Sequence, residues 1–357
     1  MSQVQATKPQ VQVDFYEIEE VERHLVFPEI YPQGSGTLKR RKNRHPDCVR
    51  SNPNYIPNEQ TLRKCLAWWY TPMRMALGLH GETGTGKTEM LMFLADRLNE
   101  PFYMIKVHQG LRAEDIEGSK ELVSTPNGVV TRNSLGLAAK AYRNGGVVVF
   151  DELDKGGMDL HCAIHGLVEG KPWPVEQFGL VLTKHPMCRI TATANTTGEG
   201  GHDRYHTSNR MDQALRSRIA WLKTHFPLPA HEMSILSKSF PMFPSGMVKD
   251  VVKLANSFRD AVLGSADPKT GERKGGVENP MNCIFSTRTA VNWLSYTMAF
   301  GPDFTWRESF DFVMEGSIDP ESRESAQEII QRVLNELIDT PVRELITHYK
   351  GNTAGKP

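Results

Sequence analysis

His80-Gly-Glu-Thr-Gly-Thr-Gly-Lys-Thr-Glu-Met90 decides how the rest of this 357-residue chain is read. Gly81, Glu82, Thr83, Gly84, Thr85, Gly86, Lys87 and Thr88 fit G-x-x-x-x-G-K-[ST] at every fixed position. In such a loop the glycines let backbone N–H groups face an anion, and the helix that follows adds the positive end of its dipole. The motif requires a strand before it and a helix after it. Both are legible. Met75-Ala-Leu-Gly-Leu79 is a short apolar run, and beyond Glu89 the residues Met90–Ala95 with Leu98 give a buried helix face. The ligand this pattern asks for is a polyphosphate, contacted by residues 81–88 and Glu89. Lys87 would bridge its β- and γ-phosphates, and the Thr88 hydroxyl would bind Mg²⁺. The loop alone leaves open whether the phosphate is transferred, sensed or used for mechanical work.

A hydrolase also needs an acid for the metal and a base for water. Gly145-Gly-Val-Val-Val-Phe-Asp-Glu-Leu-Asp154 offers both at the end of a buried strand: Asp151 for the metal and Glu152 to polarise an attacking water. Two carboxylates at a strand end are costly unless a cation neutralises them, which favours a working site. Asp154, just beyond, reads as a supporting carboxylate in the loop. Arg189–Thr196 is another strand, and Asn195 at its end is placed to hydrogen-bond the water or the γ-phosphate. The N-K-x-D motif that reads guanine is absent, which disfavours a guanine nucleotide and leaves the choice of base open.

The 42 basic and 42 acidic residues cancel, which leaves no global field to recruit nucleic acid or an anionic membrane. Locally, Lys39-Arg-Arg-Lys-Asn-Arg-His45 is a basic run, either a solvated segment or a contact for nucleic acid or an acidic partner. Five scattered cysteines without a C-x-x-C pair argue for a reducing compartment. The polar N-terminus is no secretory signal, and no apolar run reaches the roughly twenty residues that cross a bilayer. A soluble cytoplasmic protein is the expectation.

Texture divides the chain into four parts. Residues 1–57 read as a partly disordered basic arm with one short ordered element near Phe15–Leu25, and 58–226 as an α/β core whose apolar runs imply a parallel sheet covered on both faces. Residues 227–349 read as a helical lid and 350–357 as a disordered tail, with a mobile loop at 264–279. His161 and His165 share a helical face, but no third metal ligand accompanies them.

GETGTGKT, VVVFDELDK, ITATANT and MDQALRSRI, in this order, resemble the motifs of the AAA+ ATPases. The likeness is greatest to the MoxR branch and its CobS-like subgroup, and covers roughly residues 50–300. It implies an αβα sandwich with strand order 5-1-4-3-2, ATP hydrolysis, and a hexameric ring. It also implies a protein client, with a von Willebrand A-type partner, that is remodelled or activated in a chaperone-like way; chelatase association is one option. A nucleic-acid-associated motor using the basic run is the alternative. Arg218 falls at the family's arginine finger, with Arg216 beside it; Ser217 stands where the family often has an acid. Arg288, in the first turn of a lid helix capped by Ser286, matches the second sensor, and a bound anion would offset its clash with the helix dipole. Gly118–Arg132 matches a hairpin insert directed at the ring pore. Gly170–Val175 onward matches a second hairpin, whose Trp173 either grips a partner or packs inside.

Overall fold

The computed structural model describes residues 13–126, 128–197, 209–273 and 281–353. The chain opens with β1 (Ile18–Glu22), α1 (Arg23–Val26) and β2 (Thr37–Arg41), then α2 (Glu59–Tyr70), β3 (Ala76–His80), α3 (Lys87–Arg97) and β4 (Phe102–Lys106). A short α4 (Ala113–Glu117) leads into β5 (Gly118–Thr125) and β6 (Gly128–Leu135), then α5 (Leu137–Asn144), β7 (Gly146–Asp151) and α6 (Met158–Glu169). There follow β8 (Trp173–Val175), β9 (Leu180–Leu182), β10 (Cys188–Ala194), α7 (Gln213–Arg216) and β11 (Ile219–Lys223). The rest is helical: α8 (Pro229–Ser239), α9 (Ser245–Leu263), α10 (Thr287–Phe300), α11 (Trp306–Met314), α12 (Arg323–Leu334) and α13 (Val342–Thr353).

Five parallel strands form the central sheet in the order β11-β3-β10-β7-β4, the expected 5-1-4-3-2. Side chains alternate across it, as the two-residue period of a strand requires. Val147 and Val149 join Leu79, Leu91, Phe93 and Trp69 on one face. Val148 and Phe150 join Ile190, Tyr142 and Ile164 on the other. Every strand therefore ends, at its C-terminal edge, on the same rim.

The N-terminal segment differs from the expected arm. From Val13 it is described as a β1–β2 hairpin, and Val26, Phe27, Ile30 and Leu38 are buried in the core. Residues 1–12 lie outside the described residues. The basic run is not a free cationic surface either. Lys39 pairs with Glu20 (3.8 Å), Arg40 with Glu19 (2.8 Å), Lys42 with Glu17 (2.6 Å) and Arg44 with Asp96 (2.5 Å). Arg41 is fully buried and meets Glu100 at 2.7 Å. The acidic β1 neutralises the basic β2 because antiparallel pairing sets Glu19 opposite Arg40 and Glu20 opposite Lys39.

The tail also differs: α13 continues through Thr353, and only 354–357 fall outside the described residues. Within the expected 264–279 loop, Ala266 bridges Arg273, while 274–280 lie outside the described residues. The Gly118–Arg132 hairpin is longer than expected, running to Leu135 with Leu122 and Val129 exposed. Trp173 is buried, its ring edge-on to Tyr142 at 5.7 Å, so it packs inside rather than offering itself to a partner. No helix among the described residues is long and apolar enough to cross a membrane.

Helices α8–α13 bury a hydrophobic core of their own, centred on Phe258, Phe285, Trp293, Trp306 and Phe310. Inside it Arg259 donates to both oxygens of Glu232, at 2.6 and 2.8 Å, and to the Phe285 carbonyl at 2.8 Å. Thr287 donates to the same carboxylate at 2.7 Å, so the pair ties α8 and α9 to the start of α10. Both charged side chains are fully buried. Removing one partner would strand the other's charge in a low-dielectric interior. Arg259→Ala is therefore expected to lower unfolding free energy by about 3–5 kcal/mol, read from urea denaturation followed by circular dichroism.

Candidate nucleotide site

The phosphate loop joins the C-terminal end of β3 to the N-terminus of α3. Its helix cap, Gly86, has φ +83°, a left-handed conformation that side chains disfavour. Gly84 has φ +82° and lies so close to the start of α10 that a Cβ there would stand 2.5 Å from Ser286 Cβ. Ser286 in turn caps α10, accepting from the Thr289 N–H at 3.1 Å. Loop and lid helix thus meet directly, and Arg288 stands exposed two residues beyond that point of contact.

Lys87 is nearly buried, and its ammonium folds back over the loop. It donates to the carbonyls of Gly81 (2.7 Å) and Glu82 (3.0 Å) and to Asn195 Oδ1 (3.1 Å). Thr83 reaches the same amide oxygen at 3.4 Å. Burial pushes the ammonium down to about 8, against the pull of the Asp154, Glu82, Asp151 and Glu152 carboxylates. A desolvated cation whose hydrogen-bond partners are neutral favours an incoming anion.

The second carboxylate motif converges on the same place. Thr88 Oγ1 donates to Asp151 Oδ1 at 3.1 Å, and Thr193 Oγ1 donates to the same oxygen at 2.6 Å. Glu152 adopts φ +59°, ψ 45°, a left-handed backbone rare for a residue with a Cβ. Two ties hold it there: its N–H donates to Thr193 Oγ1 (3.0 Å), and Lys155 Nζ meets its carboxylate (3.0 Å). Such strain persists only where its surroundings over-determine it, and it gathers at working sites. Asp154 is fully buried and accepts from the N–H groups of Asn195 (3.2 Å) and Thr196 (3.1 Å). It thereby fixes the turn that presents Asn195 to Lys87.

Sequence reasoning overlooked two contributors. Thr193 reads in sequence as one more strand residue, although buried hydroxyls at Thr191 and Thr193 share one period of β10. Tyr55, from the supposed arm, packs on Phe93 at 5.5 Å and lies 3.6 Å from where a Gly86 Cβ would stand. Its neighbours clasp α8: the Ile56 carbonyl is 3.0 Å from His231 Nε2, and Pro53 O accepts from Lys238 at 2.7 Å. Nothing in the local pattern of Asn52–Pro57 signals this bridge between loop and lid.

Arg216 and Arg218 stand elsewhere. Arg216 ends α7, and Arg218 directly precedes β11, where its carbonyl accepts from the Ala76 N–H at 3.1 Å. Ala76 begins β3, whereas the phosphate loop follows its end. Four residue steps of about 3.3 Å set Arg218 about 13 Å along the sheet from the loop's rim. With Ser217 in the preceding position, the acid beside the arginine comes from Glu169, whose Oε1 accepts from Arg218 Nε at 2.7 Å. The histidine pair is divided between other tasks: His161 Nε2 lies 3.1 Å from the Leu153 carbonyl, and His165 Nε2 lies 2.8 Å from Asp212. No group of three or more His, Cys, Asp or Glu side chains among the described residues could hold a metal ion.

The family model for the AAA domain of the dynein-related subfamily matches residues 76–219, from the first residue of β3 to the first of β11. The chain carries an AAA domain. It is similar to AAA+ proteins of the MoxR branch. Among its relatives is the aerobic cobaltochelatase subunit CobS of a Sinorhizobium species, 27% identical over 265 residues, which span 72% of this chain and 76% of that protein. Protein NorQ of Paracoccus denitrificans is 27% identical over 186 residues, 51% of this chain and 63% of NorQ. A solved structure with a looser likeness is the Thermotoga maritima RuvB Holliday junction branch migration motor, at 13% identity, 80% coverage of both chains and a TM-score of 0.45.

The depressed Lys87 gives this AAA+ site a titration signature. A polyphosphate beside the ammonium raises its pKa, so the complex holds more proton than the free protein from about pH 8 upward. Nucleotide binding in that window is expected to take up protons, and Lys87→Met is expected to abolish the uptake. Calorimetry in buffers of different ionisation enthalpy measures it.

Proposed function

We propose that this chain is an ATP-hydrolysing ring ATPase that remodels or activates a partner protein complex, and that its chemistry is divided between neighbouring copies. The observation that carries this reading is the separation within one chain. Lys87, Thr88, Asp151, Glu152 and Asn195 meet at one rim of the sheet, while Arg218 lies about 13 Å back along it. That distance exceeds the reach of an arginine side chain, so Arg218 would complete the site of an adjacent copy. A head-to-tail contact of this kind closes into a ring, here taken as a hexamer.

The Thr88 hydroxyl and the Asp151 carboxylate are hard oxygen donors of the sort Mg²⁺ accepts, and they already converge on one point. Magnesium bound there, with phosphate oxygens and waters completing its shell, would neutralise charge on the β- and γ-phosphates. The chain's own residues carry the remaining roles. Lys87 binds the β- and γ-phosphates, with the N–H groups of residues 81–88 and Glu89 around them. Asn195 orients the attacking water, and Glu152 accepts its proton. Arg288, at the start of α10 where that helix already meets Gly84, reaches the phosphates from the lid, and Arg218, with Arg216 beside it, offers positive charge from the next copy. The β5–β6 ribbon exposes Leu122 and Val129, which are suited to touch an apolar client.

The kind of client follows from resemblance. One relative is named as a cobaltochelatase subunit and another as a denitrification regulatory protein. A protein complex is therefore the favoured client, with chelatase association one form of it; a von Willebrand A-type component is what the family resemblance implies. The nucleic-acid reading loses its support because acids pair Lys39, Arg40, Arg41, Lys42 and Arg44.

Glu152→Gln is expected to retain ATP binding while phosphate release falls by about 10²-fold or more. Fluorescent-nucleotide titration and a phosphate-release assay read the two quantities; wild-type turnover would remove Glu152 from its role. Affinity capture with the same ATP-locked variant, followed by mass spectrometry, then identifies the retained client.

A further inference from the structure

Arg218 is held in place before any neighbour arrives. Its Nε donates to Glu169 Oε1 at 2.7 Å and its Nη1 to the Ala214 carbonyl at 2.7 Å. Nη2 has no partner among the described residues, and the side chain remains about one-third exposed. A guanidinium carries five donors in a rigid plane, so one edge can be anchored while another serves a second anion. Glu169 does not match Arg218 charge for charge, because Lys171 Nζ meets its other oxygen at 2.5 Å. Together Lys171 and Arg218 hold the Glu169 carboxyl down to about 2.

The anchor is itself secured. Glu169 is the last residue of α6, a helix about 18 Å long by its 1.5 Å rise, which starts a few residues after the Glu152 turn. At its N-terminal end His161, fully buried, meets the Leu153 carbonyl. Near its other end His165 faces Asp212, the residue whose side chain caps α7 by accepting from Leu215 N–H at 3.2 Å. The helix carrying Glu169 is therefore tied to the turn after Glu152 through His161, and to the short helix leading to Arg218 through His165 and Asp212.

We infer that Glu169 is a positioning residue for Arg218: it grips the guanidinium by its Nε edge so that Nη2 faces the phosphate bound to the adjoining copy. This rests on the reading of Arg218 as acting in trans. A free arginine would have to lose several rotamers on each encounter, whereas the anchored one is ordered in advance. Sequestration by Glu169 is the opposite outcome, and the two differ in the sign of their effect on turnover.

The test uses the full chain, with the mass of the assembled particle measured by light scattering and steady-state ATPase resolved into kcat and KM. Glu169→Ala is expected to lower kcat at least tenfold while particle mass and KM for ATP stay unchanged. Glu169→Gln, which keeps a neutral acceptor, is expected to recover part of the loss, and Lys171→Ala to leave kcat within about twofold. The decisive measurement is the cycle with Arg218→Ala. Glu169→Ala should cost nothing further in that background, because a residue acting only through Arg218 has nothing left to act on. A wild-type or raised kcat for Glu169→Ala, beside a slow Arg218→Ala, overturns the positioning role, as do additive losses. Full turnover by Arg218→Ala overturns the trans reading itself. Should Glu169→Ala fail to fold, Glu169→Gln runs the same cycle: any loss it shows must vanish in the Arg218→Ala background, and an unchanged kcat overturns the role.

Discussion

A single buried ammonium organises this molecule's working end. Lys87 is desolvated by the fold, and its hydrogens go to the Gly81 and Glu82 carbonyls and to the Asn195 amide. Those acceptors come from the loop after β3 and the turn after β10, which are neighbouring strands in the sheet although more than a hundred residues apart in the chain. The lysine therefore ties the loop to its neighbour strand, and its burial leaves a desolvated cation at the rim. The parallel sheet makes this arrangement possible, since parallel strands deliver every C-terminal end to one rim.

Around that rim the structure stores strain and surrounds it with ties. Glu152 sits in a left-handed backbone conformation that a side-chain-bearing residue seldom adopts. Thr193 holds both Asp151 and the Glu152 N–H, so one hydroxyl sets the relative pose of the two carboxylates. Asp154 does the corresponding work for the next turn, accepting from Asn195 and Thr196 N–H groups. Polar side chains buried in β10 and its flanking turns would be costly without partners; here each spans two strand ends. The lid is governed by a similar device, the Glu232–Arg259 pair, which fixes the start of α10 through Thr287.

Local pattern exposed much of this. The glycine spacing of residues 81–88 identified the loop, because that spacing lets consecutive N–H groups converge on an anion. Apolar runs ending in Asp151-Glu152 and in Asn195 gave the strands and their terminal polar groups. The start of helix α10 was legible, since Ser286 is a strong cap. Other features were hidden because they depend on partners far along the chain. The basic run looked solvated, yet β1 supplies acids to Lys39 and Arg40, and Glu100 buries Arg41. Tyr55 looked like part of a loose arm, yet it covers Gly86 and its segment grips α8.

By itself, then, the sequence determined the chemistry: a phosphate loop, two carboxylates at a strand end, a polar strand terminus and arginines further on. These are short-range features, set by backbone freedom, side-chain periodicity and the donors each residue carries. Only tertiary structure decided which of them meet. Packing brought Lys87 to Asn195 and Thr193 to Asp151, and it set Arg218 at the far end of the sheet, anchored by a glutamate 49 residues away. The physical reason is that such pairings follow strand order and register, which depend on how both faces of the whole sheet are buried and on no single stretch of the chain.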